Sequence, residues 1–139
     1  MKENAITEAL IGSAIEVHRE LGAGLIEKAY EESLCHEMHI RGLQFERQKG
    51  VPLTYKRVKL SVNLWLDLLV EQRVILELKA KDQITALDKI KVLTYLRLCD
   101  LRVGLIINFH VERLTDGITR VVNRFVEPDE PSSVPDLRA

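Results

Sequence analysis

Cysteine is scarce in this 139-residue chain: Cys35 and Cys99 are the only two. Two cysteines at that spacing make neither a closed zinc site nor a ligand knuckle, and the four of an iron–sulfur cluster are absent. Reduced thiols in a cytoplasmic core are the expectation. No stretch approaches 18 apolar residues without a charge, which excludes a membrane-spanning helix. The N-terminal MKENAITEAL has no long apolar run behind its lysine, so no signal peptide is expected. A net charge of −1 supplies no global basic field, and binding to a polyanion would need a local patch. There is no internal repeat, Gly-rich phosphate loop or nucleophile elbow.

What remains is an ordinary globular composition, 46% hydrophobic and 29% charged, enough for one self-sufficient core. The expected domain spans 1–126. Residues 127–139, acidic and holding three of the four prolines, are expected to form a disordered tail. Charge is unevenly spread. Residues 1–40 carry eight Glu against Lys2, Arg19 and Lys28, a balance of −5. Residues 41–60 carry Arg41, Arg47, Lys49, Lys56, Arg57 and Lys59 against Glu46, a balance of +5. The basic run reads either as a lysine-guarded sheet edge or as a rim facing phosphates.

Ile6, Leu10, Ala14, Val17 and Leu21 recur at helical spacing, and Gly22-Ala23-Gly24 breaks that helix. A second helix is expected over 25–41, ending at Gly42. Short strands follow at 43–47 and 51–55, with Pro52 marking an edge or a strand start. From Val58 to Val70 every second residue is apolar, the pattern of a long strand with one face on a core. Val74–Lys79 is the next strand, and a third helix runs over 86–99 with Thr85 as N-cap and Asp88 three positions on. That helix is apolar nearly all round and is expected to be buried. Val103–Phe109 reads as a strand buried on both faces, and Ile118–Val126 as the last strand. Helices and strands in this order make an α/β (α+β) domain with one sheet.

Hydrophobic patterning selects the hairpin register with Val70 opposite Val74, which sets Asp67 opposite Glu77. Two carboxylates so placed repel unless a cation or proton lies between them. Lys79 lies two residues beyond Glu77 on the same face. Trp65, Leu69 and Ile75 share the carboxylates' face, which is therefore expected to be covered by a helix. Glu27 stands in line with Leu34 and Met38, either held by the helix N-terminus or pointing inward as a third carboxylate. Asp88, Lys91 and Tyr95 form one polar stripe on the third helix, serving local hydrogen bonds or facing the carboxylates. His36 and His39, at i,i+3, lack a third metal ligand.

Gly24-x-x-Glu27-x-x-Tyr30, then Asp67, Glu77-Leu78-Lys79, Tyr95-Leu96 and Gly104-Leu105-x-x-Asn108-Phe109, with Val-His-x-x-Leu-Gly from Val17 to Gly22, resemble the GxxExxY family of the PD-(D/E)XK nuclease superfamily. The resemblance implies a restriction-endonuclease-like core, a central mixed sheet flanked by helices. It implies that Asp67 and Glu77 hold Mg²⁺ or Mn²⁺, with the Leu78 carbonyl as a third ligand. Lys79 would orient the attacking water, Glu27 would complete the catalytic set, and Tyr30, Lys91 and Tyr95 would support it. The implied activity is hydrolysis of phosphodiester bonds in DNA or RNA, with phosphates met by Arg47, Lys49, Lys56 and Arg57. A homodimer would give so small a domain the span to hold a duplex. Related nucleases often carry Gln four residues before the tyrosine, and family members a His three residues before that Gln. This chain has Lys91 and Asp88 there. Lys91 can meet a phosphate but cannot accept a hydrogen bond. The competing expectation is a catalytically inactive nuclease-fold module that binds nucleic acid or protein, with the Lys91 ammonium displacing the metal.

Overall fold

The computed structural model describes residues 1–124, so the expected tail at 127–139 and the end of the expected last strand lie outside the described residues. Helices α1 (Glu3–Leu21) and α2 (Glu27–Ile40) precede strands β1 (Phe45–Tyr55), β2 (Val58–Val70) and β3 (Val74–Lys79). Helix α3 (Ala86–Cys99) leads to β4 (Val103–Asn108), and a 3₁₀ turn at Leu114–Gly117 precedes β5 (Ile118–Val122). The five strands lie in sequence order in one sheet, antiparallel except for the β3–β4 pair. α3 is the crossover that a parallel pair requires.

Each helical layer has its own core. Ile6, Leu10, Leu34 and Met38 of α1 and α2 pack on Leu68, Val70, Leu76, Leu78 and Leu105 from one side of the sheet. Val92 and Leu96 of α3 pack on Leu64, Leu66, Leu69, Ile75 and Ile106 from the other. β4 is buried throughout, as its unbroken apolar run requires. The approach of α3 is close: a Cβ on Gly104 would lie 2.8 Å from Val92 Cγ1, so only glycine lets the helix settle at this depth. At its start, Thr85 and Asp88 form the expected capping box. This mixed sheet between helical layers is the restriction-endonuclease-like architecture that the resemblance implies.

Four expectations are corrected. The two short strands at 43–47 and 51–55 are one strand, β1, in which Gln48 takes a left-handed φ of 47°. A non-glycine residue there gives no sequence signal, so the irregularity reads as a break. The second correction concerns β2. Val58, Leu60 and Val62 are exposed because the distal halves of β1 and β2 project as a two-stranded arm beyond the helical layers. Third, the apolar face of β2 changes sides at Asp67: Leu64 and Leu66 face α3, whereas Leu68 and Val70 face α1 and α2. Trp65 accordingly escapes the α3 layer and stands 57% exposed. Last, α3 buries only Val92 and Leu96, leaving Leu87, Ile90 and Leu98 exposed.

Candidate active site

The register that brings the carboxylates together is the one observed, with Leu68 paired to Leu76, Leu69 to Ile75 and Val70 to Val74. The β2–β3 ladder stops at Leu68, short of the Leu66–Leu78 pairing that the alternation predicts. Two side chains take over its hydrogen bonds. The Leu78 N–H donates to Asp67 Oδ2 at 2.9 Å, and the Asp67 N–H donates to Glu77 Oε1 at 3.2 Å. Asp67 and Glu77 thus occupy the fork where the strands part. Across β2, Arg47 pairs with Leu68 and Lys49 with Leu66, so the Gln48 irregularity lies directly beside Asp67.

Burial raises the Glu77 carboxyl well above its ordinary range, to about 8, and the neighbouring Asp67 charge and side-chain hydrogen bond reinforce the shift. The two groups are close enough to share a proton. Glu27, the first residue of α2, is exposed at the rim rather than aligned inward with Leu34 and Met38. Partial desolvation and then Asp67 raise its carboxyl, while Lys79 and Lys91 oppose that rise. The site therefore gathers Glu27, Asp67 and Glu77 with two cations, Lys79 from the end of β3 and Lys91 from α3.

Tyr30 acts from beneath. Fully buried and stacked on Phe109, its hydroxyl donates to the Gly22 carbonyl at 2.6 Å and accepts from the Leu25 N–H at 3.1 Å. It thereby pins the loop that delivers Glu27. Lys91 lies over the Tyr95 ring at 5.5 Å. Its hydrogen bond to Tyr95 raises the ammonium pKa, and the Glu77 and Asp67 charges add to that. The polar stripe on α3 is split. Lys91, resting on Tyr95, reaches the carboxylates, whereas Asp88 caps its helix and pairs with Lys81 at 2.6 Å, which holds its carboxyl down at about 2.

The basic segment also divides. Arg47 is bound to Glu31 at 2.8 Å and Lys49 to Glu46 at 3.2 Å. Lys56 and Arg57 form the tip of the arm, both at positive φ as a two-residue hairpin turn requires. Glu31 is a residue that sequence reasoning missed. Burial alone would raise its carboxyl, but hydrogen bonds from Arg47, Gln48 and Lys28 hold it below its ordinary value. It anchors the irregularity of β1 beside Asp67, and its i,i+4 spacing from Glu27 was the available signal.

Among the described residues no three His, Cys, Asp or Glu side chains converge as a metal-holding group. The donor set at the fork nonetheless fits a hard divalent cation. Two carboxylates close enough to share a proton present adjacent oxygens, and Mg²⁺ is satisfied by one or two carboxylates with water and phosphate completing its shell. The Leu78 side chain is buried in the core and its N–H is taken by Asp67, so only its carbonyl could serve as a ligand. Among the described residues no helix is long and apolar enough to cross a membrane. Cys35 and Cys99 are free thiols, and burial pushes Cys35 up to about 11.

No curated protein and no solved structure matches the chain. A family model described as the PD-(D/E)XK nuclease superfamily matches residues 4–121, a span that holds the whole sheet but for its last residue, and every side chain of the fork. The match covers well over half of the chain, and the chain belongs to the PD-(D/E)XK nuclease superfamily.

Proposed function

We propose that this protein is a metal-dependent nuclease of the GxxExxY type, hydrolysing phosphodiester bonds in DNA or RNA at the β2–β3 fork. The observation that carries this reading is the Asp67–Glu77 pair, two carboxylates brought together at a strand split, each accepting a backbone N–H from the other strand. Asp67, Glu77 and the Leu78 carbonyl are the residues that would hold Mg²⁺ or Mn²⁺. Such an ion, when bound, polarises a phosphoryl oxygen and lowers the pKa of a coordinated water. Lys79 orients the attacking water and offsets charge developing on the phosphate. Glu27, its carboxyl raised toward neutrality, accepts a proton from that water. Lys56 and Arg57 on the arm give phosphate contacts that carry register without sequence preference. The free thiols accord with a cytoplasmic setting.

The test is cleavage of labelled single- and double-stranded DNA and RNA with Mg²⁺, Mn²⁺ or EDTA, beside Glu77→Ala and Lys79→Ala. The expected result is metal-dependent cutting that each substitution lowers by about 100-fold or more. Cutting that survives both substitutions would place the chemistry elsewhere.

A second reading rests on Lys91, whose charge reaches both Glu77 and Asp67 from α3. In that reading its ammonium replaces the metal and the fold serves as an inactive binding module for nucleic acid or protein. Calorimetric titration of Mn²⁺ into the unaltered chain and Lys91→Gln separates the two. Tight binding by the unaltered chain supports the nuclease, and binding by Lys91→Gln alone supports the module.

A further inference from the structure

Trp65 is the chain's single tryptophan, it lies two residues before Asp67, and it is 57% exposed. On β2 it shares with Asn63 the face opposite to Leu64 and Leu66, which pack on the α3 side. Tyr55, Val58 and Val62 are exposed farther out on the arm, and among the described residues no other aromatic ring packs on Trp65. Its indole is also held in place. Trp65 pairs across the ladder with Gly50, and a Cβ on Gly50 would lie 3.0 Å from Trp65 Cζ3 and 3.1 Å from Cη2. The missing side chain of Gly50 lets one face of the ring rest on the β1 backbone and leaves the other face to solvent.

Charge indicates what could occupy that open face. Lys56, Arg57 and Lys59 are exposed on the same arm, and none has a carboxylate partner among the described residues. A single strand that lays one base on the fixed ring can run along the arm and bring phosphates several nucleotides away to the cations at its far end. A base inside a duplex has both faces covered by its neighbours, so it cannot stack on a side chain without leaving the helix. Trp65 stands about 7 Å along the strand from Asp67, which is roughly two stacked nucleotides.

We propose that Trp65 is a base-stacking platform that makes single-stranded nucleic acid the substrate class of the fork, seating an unpaired base within a few nucleotides of the bond to be cut. The inference rests on the nuclease reading for its meaning but not for its test, which is binding without turnover. A single strand also needs less span than a duplex and no second copy of the chain.

Because Trp65 is the only indole, its fluorescence reports the contact directly. The full chain, in EDTA, is titrated with single-stranded DNA, single-stranded RNA and duplex DNA of the same sequence. The single strands are expected to quench Trp65 and the duplex to leave it unchanged, and comparison of the two single strands shows whether the 2′-hydroxyl matters. By anisotropy of labelled oligonucleotide, Trp65→Ala should weaken single-strand binding about tenfold and leave duplex binding unaltered. Trp65→Phe should recover most of the loss, which a merely structural role would not predict. Gly50→Ala, which displaces the ring and leaves it in place chemically, should weaken binding as well. The proposal is overturned if duplex and single strand bind alike with no quenching, or if Trp65→Ala binds as the unaltered chain does. A fluorescence change that follows protein concentration instead of oligonucleotide would assign Trp65 to self-association and overturn it too. Metal-dependent cutting of duplex alone, with no quenching by single strands, would leave the nuclease standing and remove this inference.

Discussion

Leu76 and Val62 are aliphatic residues of one sheet, both from stretches where apolar and polar positions alternate or nearly so. Leu76 is fully buried between helical layers, whereas Val62 is 57% exposed on the arm. The inner sheet of β3, β4 and the proximal half of β2 is covered on both sides. The arm formed by the distal halves of β1 and β2 extends past both helical layers and carries Tyr55, Val58 and Trp65 into solvent. The two regions meet at Asp67, where β2 changes the side on which it buries its apolar residues. Strand alternation thus reports the geometry of a strand and not the depth at which it is buried. The chemistry of the chain is gathered at the boundary, with rigid core on one hand and accessible surface on the other.

The largest effect that can break this comparison is on stability. Leu76→Ala should cost about 2–5 kcal/mol, because a fully packed site cannot collapse around the missing atoms. Val62→Ala should change stability by no more than about 0.5 kcal/mol. Urea denaturation of both variants checks the pair, and a Val62→Ala loss matching that of Leu76→Ala would show the arm to be part of the cooperative core.

A smaller effect belongs to the boundary itself. The folded state holds the proton of Glu77 more tightly than the unfolded chain, whose ordinary value is 4.5. The protein therefore binds more protons folded than unfolded between about pH 4.5 and about 8, and its stability falls as pH rises through that window. The raised Glu27 carboxyl slopes the same way. Asp88 and Glu31 have lowered values and act in the opposite sense only at acid pH, outside the window. Thermal melts from pH 5 to 8.5 should show a declining Tm, and Glu77→Gln should flatten the decline. A profile as steep in Glu77→Gln as in the unaltered chain would assign the slope to other groups.

Much of this arrangement is legible in the sequence. The Val70–Val74 register follows from apolar residues on both strands, and it alone brings Asp67 to Glu77. The capping box at Thr85 and the doubly buried β4 follow from equally local signals. The unread features are those in which the backbone departs from regularity without a glycine or proline to mark it. Gln48 turns left-handed in mid-strand, and β2 reverses its buried face within a run of unbroken alternation. The exposure of Leu87, Ile90 and Leu98 was hidden for another reason. A helix apolar on all sides does not say which side the sheet will cover, and here only Val92 and Leu96 are covered.

The fork also separates what can vary in length from what cannot. Everything that sets Asp67 against Glu77 lies between the Lys49–Leu66 pair and the Val70–Val74 turn, or in β3 itself. The hairpin beyond Val51 and Leu64 has its own turn and owes the fork no hydrogen bond. Lengthening or trimming it by two residues on each strand preserves alternation and leaves both carboxylates where they are. The reach of the domain over its substrate is therefore an adjustable dimension, free to change while the chemistry behind it stays the same.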